Sequence, residues 1–439
     1  MTGGAMTSPP ASDRWASWQA LDSGRLLLMS TAAMLVLAAL ATATVTLRTS
    51  HVPMDVALSF GGFIAFGELL RLALPGGREA APIALVGGMS YAMLVRVHNI
   101  PIVNLPGELG ALLVVAVAAI GMLVGALPHI AAGRSAGLTG MCTRLVAIAG
   151  VAFIFRPAGY NLLMRHTAWE LALAVMIPLV LVGWLADTVI GGLIRADDVG
   201  ARFGVAIADE IRVQWALGTA VCASVIITVI GAQVMGLAEL VVFLGPLLVT
   251  QVAFRRYAGI RATYLQTVRS LARVTEVAGY VEAGHSRRVS RLAVAVGREL
   301  GMPERDLLQV EYAALMHDIG QLSLRDPIPG GATVLVSETE QERIAELGAD
   351  VIRQAGVLEE VAELVRCQSW PAQGREPTAP LGSMIIRAAN TFDDLVGAST
   401  DRERSATALD RMRQDPQRYS SRVVAALTEV AGRRLAWRL

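Results

Sequence analysis

The residues from 26 to 254 form a series of apolar blocks separated by short polar breaks. Hydrophobic residues make up 54% of the 439-residue chain, and their excess lies in this front part. A helix needs roughly 20 apolar residues to cross a bilayer. Eight blocks approach that length: 26–47, 55–74, 80–97, 106–127, 138–155, 168–193, 213–232 and 235–254. The sequence therefore predicts an integral membrane domain of eight helices, with seven as the alternative because the fifth block is short and contains Arg144.

The polar breaks between the blocks differ in their arginine content. Breaks on the side of Arg25 and of the Arg255–Arg256 pair hold more arginines than the breaks on the other side. Because cytoplasmic loops carry the excess of positive charge, this bias predicts a cytoplasmic C-terminus. Residues 1–25 form a polar tail without the basic start of a signal peptide, so the first block is expected to remain as a membrane helix.

Two further regions follow the membrane domain. Residues 255–284 predict a connector helix whose apolar residues recur at steps of three and four: Ile260, Tyr264, Val268, Leu271, Val274 and Ala278. That face predicts either pairing with the same helix of a second chain, which would give a homodimer, or packing on the domain that follows. Residues 285–439 predict helices and no strand. The predicted fold class is all-α, a multi-span membrane domain followed by a helical bundle.

Charge and cysteine content argue against two other classes of protein. The formal net charge is +1 and no basic stripe is evident, so nucleic acid is not an expected partner. The three cysteines, Cys142, Cys222 and Cys367, lie far apart in the sequence. Neither a disulfide framework nor a zinc knuckle is therefore expected. The predicted partners are the membrane, a nucleotide and a second copy of the chain.

Only two of the six histidines lie beyond residue 255, and each stands in a distinctive motif. His285 lies in Gly-His-Ser-Arg-Arg-Val, and His317 precedes Asp318 at the end of the apolar run 313–316. A neutral imidazole and a carboxylate can together hold one divalent ion. Since a buried carboxylate needs a partner, Asp318 is expected to bind a metal, an arginine or a hydrogen-bond network.

This ordered set of motifs resembles the HD superfamily, above all its HD-GYP branch, which hydrolyses cyclic dinucleotides. The resemblance begins in the connector helix, includes both histidine motifs, and continues through residues 342–356, 385–395 and 415–430. It implies a helical bundle that holds two or three ions such as iron or manganese around a phosphodiester. By the same resemblance, His285, His317 and Asp318 correspond to metal ligands of the family.

Several ligand positions of that family are lost in this chain. Ile344 stands in place of a histidine, Asn390 in place of a late aspartate, and paired histidines are missing around Cys367. Gln321 replaces the lysine that usually follows His-Asp-x-Gly. A two-metal site needs more than three protein donors, whereas three can hold a single ion. The expected cofactor is therefore one divalent ion (iron, manganese or zinc), or none.

Two pairs of charged residues complete the predicted site. Asp393, which matches a second aspartate of the family, and Asp394 are expected to assist Asp318 in catalysis if the domain is an active enzyme. Arg287 and Arg288 are expected to contact a phosphate, because the guanidinium group matches phosphate geometry. The alternatives for these arginines are a solvated helix face or a bond to the His-Asp pair.

Three functions follow from the sequence as alternatives. The first is a membrane-anchored signalling protein whose degenerate HD-GYP-like domain binds a nucleotide or a partner protein, with weak or no phosphodiesterase activity. The second is an active metal-dependent phosphohydrolase that acts on a cyclic dinucleotide or another nucleotide. The third is a transporter or receptor with a regulatory HD-like tail, for which a charged cavity around Glu68 would be the distinguishing feature.

Overall fold

The computed structural model describes residues 23–49, 53–74, 78–98, 100–101, 107–159, 169–199, 203–324, 328, 331–354, 356, 358–374, 377–399 and 401–436. Most of the predicted N-terminal tail therefore lies outside the described residues. The chain divides into two compact units. The apolar unit consists of Met1–Val199 and Glu210–Ala258, and the C-terminal unit of Gly200–Asp209 and Gly259–Leu439.

Long apolar helices dominate the front of the chain, as predicted. They are α1 (Ser23–Thr49), α2 (Met54–Leu69), α3 (Pro82–Met93), α4 (Gly107–Ala131), α5 (Leu138–Ile154), α6 (Trp169–Val199), α7 (Phe203–Met235) and α8 (Glu239–Val277). Two small antiparallel hairpins lie between helices: β1 (Leu72–Leu74) with β2 (Arg78–Ala80), and β3 (Arg96–Val97) with β4 (Ile100–Pro101). Each predicted apolar block thus contains a helix, and the hairpins occupy polar breaks or block ends.

Five stretches of the described residues are long and apolar enough to cross a membrane: Gly24–Val45, Glu108–Ala131, Leu138–Pro157, Glu170–Ala196 and Ala206–Tyr257. The last of these is 52 residues long and includes the two final predicted spans. It is interrupted at Gly236, whose φ of +62° suits a residue without a side chain. The second and third predicted spans form helices of only 16 and 12 residues. The number of eight spans therefore stays a prediction.

Of the two short helices, only α3 is enclosed by protein, because α2 is buried on one face and exposes Leu58 on the other. All twelve residues of α3 are buried, and its first residue is a proline, which suits the first turn of a helix. A helix that is apolar on every side needs partners all around it. The fifth span, which the sequence marked as the weakest, is by contrast among the five stretches that meet the length criterion.

The C-terminal unit is a bundle of short amphipathic helices, so that the all-α prediction is confirmed. They are α9 (His285–Glu299), α10 (Glu304–Met316), α11 (Glu338–Arg353), α12 (Glu359–Arg366), α13 (Leu381–Val396), α14 (Arg402–Arg413) and α15 (Ser421–Ala436). In α9 the buried residues Val289, Leu292 and Val296 recur at helical spacing and join one apolar core. Residues from α10, α13 and α15 complete this core.

The predicted connector is not a separate helix. It continues the last apolar helix as α8, which ends at Val277. Val268 and Ala272 pack into the core of the C-terminal unit, whereas Ile260, Leu271 and Val274 are exposed. The side chain of Tyr264 lies outside those described. One face of the helix therefore packs on its own unit, and most of the apolar face predicted from the sequence is uncovered in a single chain.

Candidate metal centre

The local backbone at the two histidines explains how they meet. His285 is the first residue of α9 and follows Gly284, whose φ of +81° turns the chain into the helix. His317 ends α10, and the chain then tightens into a 3-10 turn at Ile319–Ser323. A Cβ atom at Gly320 would overlap the carbonyl oxygen of Ile344. The glycine therefore lets this turn lie directly against α11.

Three ligand atoms converge between α9 and the end of α10. The Nε2 atoms of His285 and His317 are 3.4 Å apart. Asp318 places Oδ2 3.3 Å from the first of these nitrogens and 3.0 Å from the second. All three side chains are buried. The sequence thus identified a group of residues that the fold brings together within a few ångströms.

The protons on both imidazoles are fixed by groups that can only accept. Nδ1 of His285 lies 2.8 Å from the carboxylate Oδ2 of Asp393, and Nδ1 of His317 lies 2.9 Å from the carbonyl oxygen of Ala314. Since carbonyls and ionised carboxylates accept hydrogen bonds, each Nδ1 donates its proton outward. Once the proton shared with Asp318 is released, each Nε2 is free to bind an ion. This is the arrangement by which metal-binding histidines are commonly oriented.

These donor atoms fit a divalent metal ion. Donors that surround an ion at 2.0–2.2 Å lie about 3–3.6 Å from one another, which matches the spacings of the three atoms. Oδ2 of Asp318 is buried and has no hydrogen-bond partner among the described residues, although both ring nitrogens are near. Oδ1 of Asn390 lies 3.1 Å from Nε2 of His317 and adds a neutral fourth oxygen. His285, His317 and Asp318, with Asn390 beside them, would hold a single ion.

The protonation of the site in the absence of an ion follows from burial and charge. Burial opposes the charged form of His285, but Asp318 and Asp393 outweigh this effect and raise its pKa to about 10. Burial also opposes charge on His317, and the Asp318 carboxylate raises its pKa nevertheless. Against the effect of burial, the two histidines lower the pKa of Asp318. A proton is therefore held among these ligands at neutral pH, and metal binding would release it.

The two further aspartates take different positions around His285. Asp393 accepts from Nδ1 of His285, and it also binds the guanidinium of Arg288 through Nε at 2.9 and 3.1 Å. Although burial opposes its charged form, the His285 and Arg288 neighbours lower the pKa of Asp393. Asp394 has its Oδ1 4.0 Å from the same Nδ1. Both carboxylates thus lie behind the imidazole ring, on the side away from Asp318, and a catalytic role for them stays a prediction.

Neither predicted phosphate-binding arginine faces the ligand atoms. Besides Asp393, Arg288 binds the carboxylate of Glu282 and the carbonyl oxygen of Ala283, so all its guanidinium nitrogens have protein acceptors. Arg287 is exposed on α9. The arrangement makes Arg288 a residue that positions Asp393, and a phosphate contact by either arginine stays a prediction.

The side chains at the positions that were expected to differ from the HD-GYP pattern are well packed. Gln321 donates from Nε2 to Oδ1 of Asp318 at 2.8 Å and to the carbonyl oxygen of Gly331 at 3.2 Å. Ile344 is 2% exposed and lines a small cavity beside His317 and Asp318. Gln368 donates to the carbonyl oxygen of His317. Gln321 therefore orients Asp318, and Ile344 is a buried apolar side chain; loss of a ligand at its position stays a prediction.

The same cavity contains residues that the sequence reasoning did not single out. Thr333 accepts a hydrogen bond from Nδ2 of Asn390 at 2.9 Å, which directs the amide oxygen towards His317. Arg387 and Arg418 also line this cavity. The sequence contained a signal for Arg387, because it is the one charged residue in the otherwise apolar run from Ile385 to Ala389. Arg418 lies in a polar stretch and gave no such signal.

The apolar unit contains a second polar site. Glu68 on α2 is fully buried and forms an ion pair with Arg144 on α5, with Nη2 2.7 Å from Oε2 and 3.0 Å from Oε1. Arg144 also lines a cavity of 520 Å³ with Thr143, Asp187 and Glu210. Glu68 is therefore neutralised by a partner from another helix, next to a polar cavity.

Comparison with known proteins agrees with this geometry. Residues 283–403 match the HD domain family. Over 126 residues the chain is 29% identical to a protein of Thermotoga maritima named "Cyclic di-GMP phosphodiesterase". That match covers 26% of this chain and 33% of the relative, so the chain spans about a third of the length of the curated relative it matches. No solved structure matches the chain.

Proposed function

With the HD domain at residues 283–403 as the premise, we propose that this chain is a membrane-anchored signalling protein whose HD domain binds one divalent metal ion and a nucleotide. One observation carries the proposal. The Nε2 atoms of His285 and His317 lie 3.4 Å apart, and the buried Oδ2 of Asp318 lies 3.3 Å from the first and 3.0 Å from the second. Such a group of donors is costly to bury unless a cation binds between them.

The residues around the site keep these donors in place. Asp393, itself held by Arg288, fixes the ring of His285, and the carbonyl oxygen of Ala314 fixes that of His317. When bound, a divalent ion would polarise a phosphoryl oxygen and lower the pKa of a bound water. Burial of His317 and Asp318 limits the access of bulk solvent and strengthens their electrostatic effect.

The same geometry favours binding over rapid hydrolysis. Two-metal phosphodiester hydrolysis uses ions about 3.5–4 Å apart, which stabilise the attacking and the leaving oxygen. In this chain Ile344 fills one lost ligand position and the neutral Asn390 another. We therefore propose slow or no turnover, with an active phosphohydrolase as the alternative. The name of the Thermotoga relative makes a cyclic dinucleotide the first nucleotide to examine.

The test measures the metal content of the full-length protein, purified in detergent after growth with iron, manganese and zinc. We expect about one ion per chain, lost in His317→Ala and Asp318→Asn because each removes a donor. Arg411→Met, an exposed substitution on α14, is the matched control. Absence of metal from the wild type after reconstitution would refute the proposal. Fast hydrolysis of cyclic di-GMP by the metal-loaded protein would replace it with the active phosphohydrolase.

We further propose that α8 pairs with the same helix of a second chain. Its exposed residues Tyr257, Ile260, Leu271 and Val274 are separated by steps of three, eleven and three, which place them on one seam of a seven-residue repeat. Such a repeat is typical of parallel coiled coils. The face that packs on its own unit, through Val268 and Ala272, leaves this seam uncovered.

The arginine bias of the loops supports a cytoplasmic HD domain.

A second candidate function rests on the cavity of the apolar unit. A volume of 520 Å³ lies within the range of small-molecule sites, and its lining includes the buried Arg144 and the half-buried Asp187. Oδ1 of Asp187 is buried and has no hydrogen-bond partner among the described residues. We propose on this basis that the apolar unit is a receptor for a small polar ligand. The test measures the thermal stability of the detergent-solubilised protein with each member of a library of polar metabolites. A ligand should raise the melting temperature of the wild type and not that of Asp187→Asn. A library in which no compound raises it would count against the proposal.

A further inference from the structure

A narrow cavity in the C-terminal unit joins the metal-ligand residues to two arginines. Its lining includes His317, Asp318 and Asn390 on one side and Arg387 and Arg418 on another. Its volume is 40 Å³, and since one water occupies at least about 10–15 Å³ of such space, the cavity can admit a small oxyanion.

In the described part of the chain, Arg387 has no carboxylate in ion-pair contact, and Glu338 and Asp415 act on it only from a longer distance. The side chain is buried, with 8% exposure, and Nη1 donates to two neutral acceptors, the carbonyl oxygens of Ser369 and Trp370. Burial and the charge of Arg418 lower the pKa of Arg387 to about 10, which leaves it charged at neutral pH. A buried charge of this kind is expected to have a counter-ion.

Arg418 adds a second positive charge at the same place. Its Nη2 donates to Oε1 of Gln341 at 2.8 Å, while its buried Nε has no hydrogen-bond partner among the described residues. The carboxylate of Glu338 lies 3.9 Å from Nη1 but is 77% exposed, so solvent screens it. Both guanidinium groups lie within 6 Å of the ring of Tyr419, which places them on the same aromatic side chain.

We propose that Arg387 and Arg418 form a phosphoryl-binding site next to the metal ligands. A guanidinium group binds phosphate oxygens through paired N–H donors, and two such groups match the charge of a phosphate ester or of inorganic phosphate. Binding of the anion does not depend on the metal. The further assignment of that phosphoryl group to a nucleotide substrate rests on the proposed function, because Asp318 and His317 line the same cavity.

The test uses the full-length protein in detergent, stripped of metal with EDTA and titrated with inorganic phosphate by calorimetry. We expect saturable binding that Arg387→Met and Arg418→Met weaken by about ten- to a hundredfold, the effect of losing a charge-assisted hydrogen bond. Arg411→Met, which is exposed on α14, should bind as the wild type does. Arg387→Lys keeps the charge without the paired donors and should give an intermediate affinity.

The outcomes separate this inference from the proposed function. Phosphate binding by the metal-stripped wild type that both Arg387→Met and Arg418→Met weaken supports the arginine site, whether or not the protein binds a metal ion. Absence of saturable phosphate binding in the folded wild type overturns the inference. Phosphate binding by Arg387→Met and Arg418→Met that is as tight as in the wild type also overturns it. Guanosine monophosphate then distinguishes the source. If guanosine monophosphate displaces phosphate and this displacement requires both arginines, the site takes a nucleotide ester. If phosphate binds and guanosine monophosphate does not displace it, the site takes the free anion.

Discussion

The substitution Asp393→Asn separates a positioning role from direct metal binding. The carboxylate lies 2.8 Å from Nδ1 of His285 and keeps the proton on that nitrogen, so that Nε2 is free to bind an ion. Asparagine keeps the size but loses the charge, and its amide nitrogen can force the proton onto Nε2. Loss of such an outer partner weakens metal binding by about 10- to 100-fold, or about 1.4–2.7 kcal/mol.

The assay is competition between the full-length protein and a chromophoric chelator for zinc or manganese. Asp394→Asn is the matched control, because Asp394 lies one residue further along α13 with its oxygen 4.0 Å from the same nitrogen. We expect its metal affinity to stay close to that of the wild type. The reasoning is refuted if Asp393→Asn binds the ion as tightly as the wild type does. It is equally refuted if the two variants lose affinity to the same extent.

Three further predictions concern other parts of the chain. Leu271→Asp should convert the dimer into a monomer, as measured by light scattering of the detergent-solubilised protein. Arg273→Asp should leave the dimer intact, because Arg273 lies on a face of α8 away from the exposed seam. Glu68→Gln should lower the free energy of unfolding of the apolar unit by about 3–5 kcal/mol because Arg144 is left charged and buried. The double variant Glu68→Gln with Arg144→Gln should recover thermal stability if the unpaired charge is the cause. A Glu68→Gln variant as stable as the wild type would contradict this prediction. In the metal-free protein, the raised pKa of His285 predicts a stabilising contribution that is complete below pH 6.5 and lost as the pH rises through about 10. Thermal melts in EDTA should show this loss in the wild type and not in His285→Gln.

Features that depend on local sequence were predictable. The hydrophobic blocks predicted the helices of the apolar unit, and the boundary between the blocks 213–232 and 235–254 predicted the break between α7 and α8. His317 and Asp318 are adjacent in the chain, so their proximity needs no tertiary information. The resemblance to the HD superfamily added His285, whose spacing from the dyad carries little information by itself.

Features that depend on distant parts of the chain were not predictable from one sequence. Arg144 was read as a reason to doubt its span, because its partner Glu68 lies 76 residues earlier and on another helix. The role of Arg288 as a partner of Asp393 joins residues 105 positions apart. In both cases a charge looks unexplained until packing supplies the opposite charge. The complete burial of α3 likewise depends on its neighbours, which hydropathy does not report.

If the apolar unit crosses a membrane, as the sequence predicts, the Glu68–Arg144 pair has a consequence for its insertion. Because α2 is synthesised before α5, the carboxylate of Glu68 has no ion-pair partner until Arg144 has been translated. An isolated arginine at the centre of an inserting helix costs roughly 2.5–3.5 kcal/mol at the translocon. A membrane-inserted α2 with a buried acid would offset that cost, which would couple the insertion of α5 to that of α2. The Glu68–Arg144 contact would then set the order in which the helices of the apolar unit assemble.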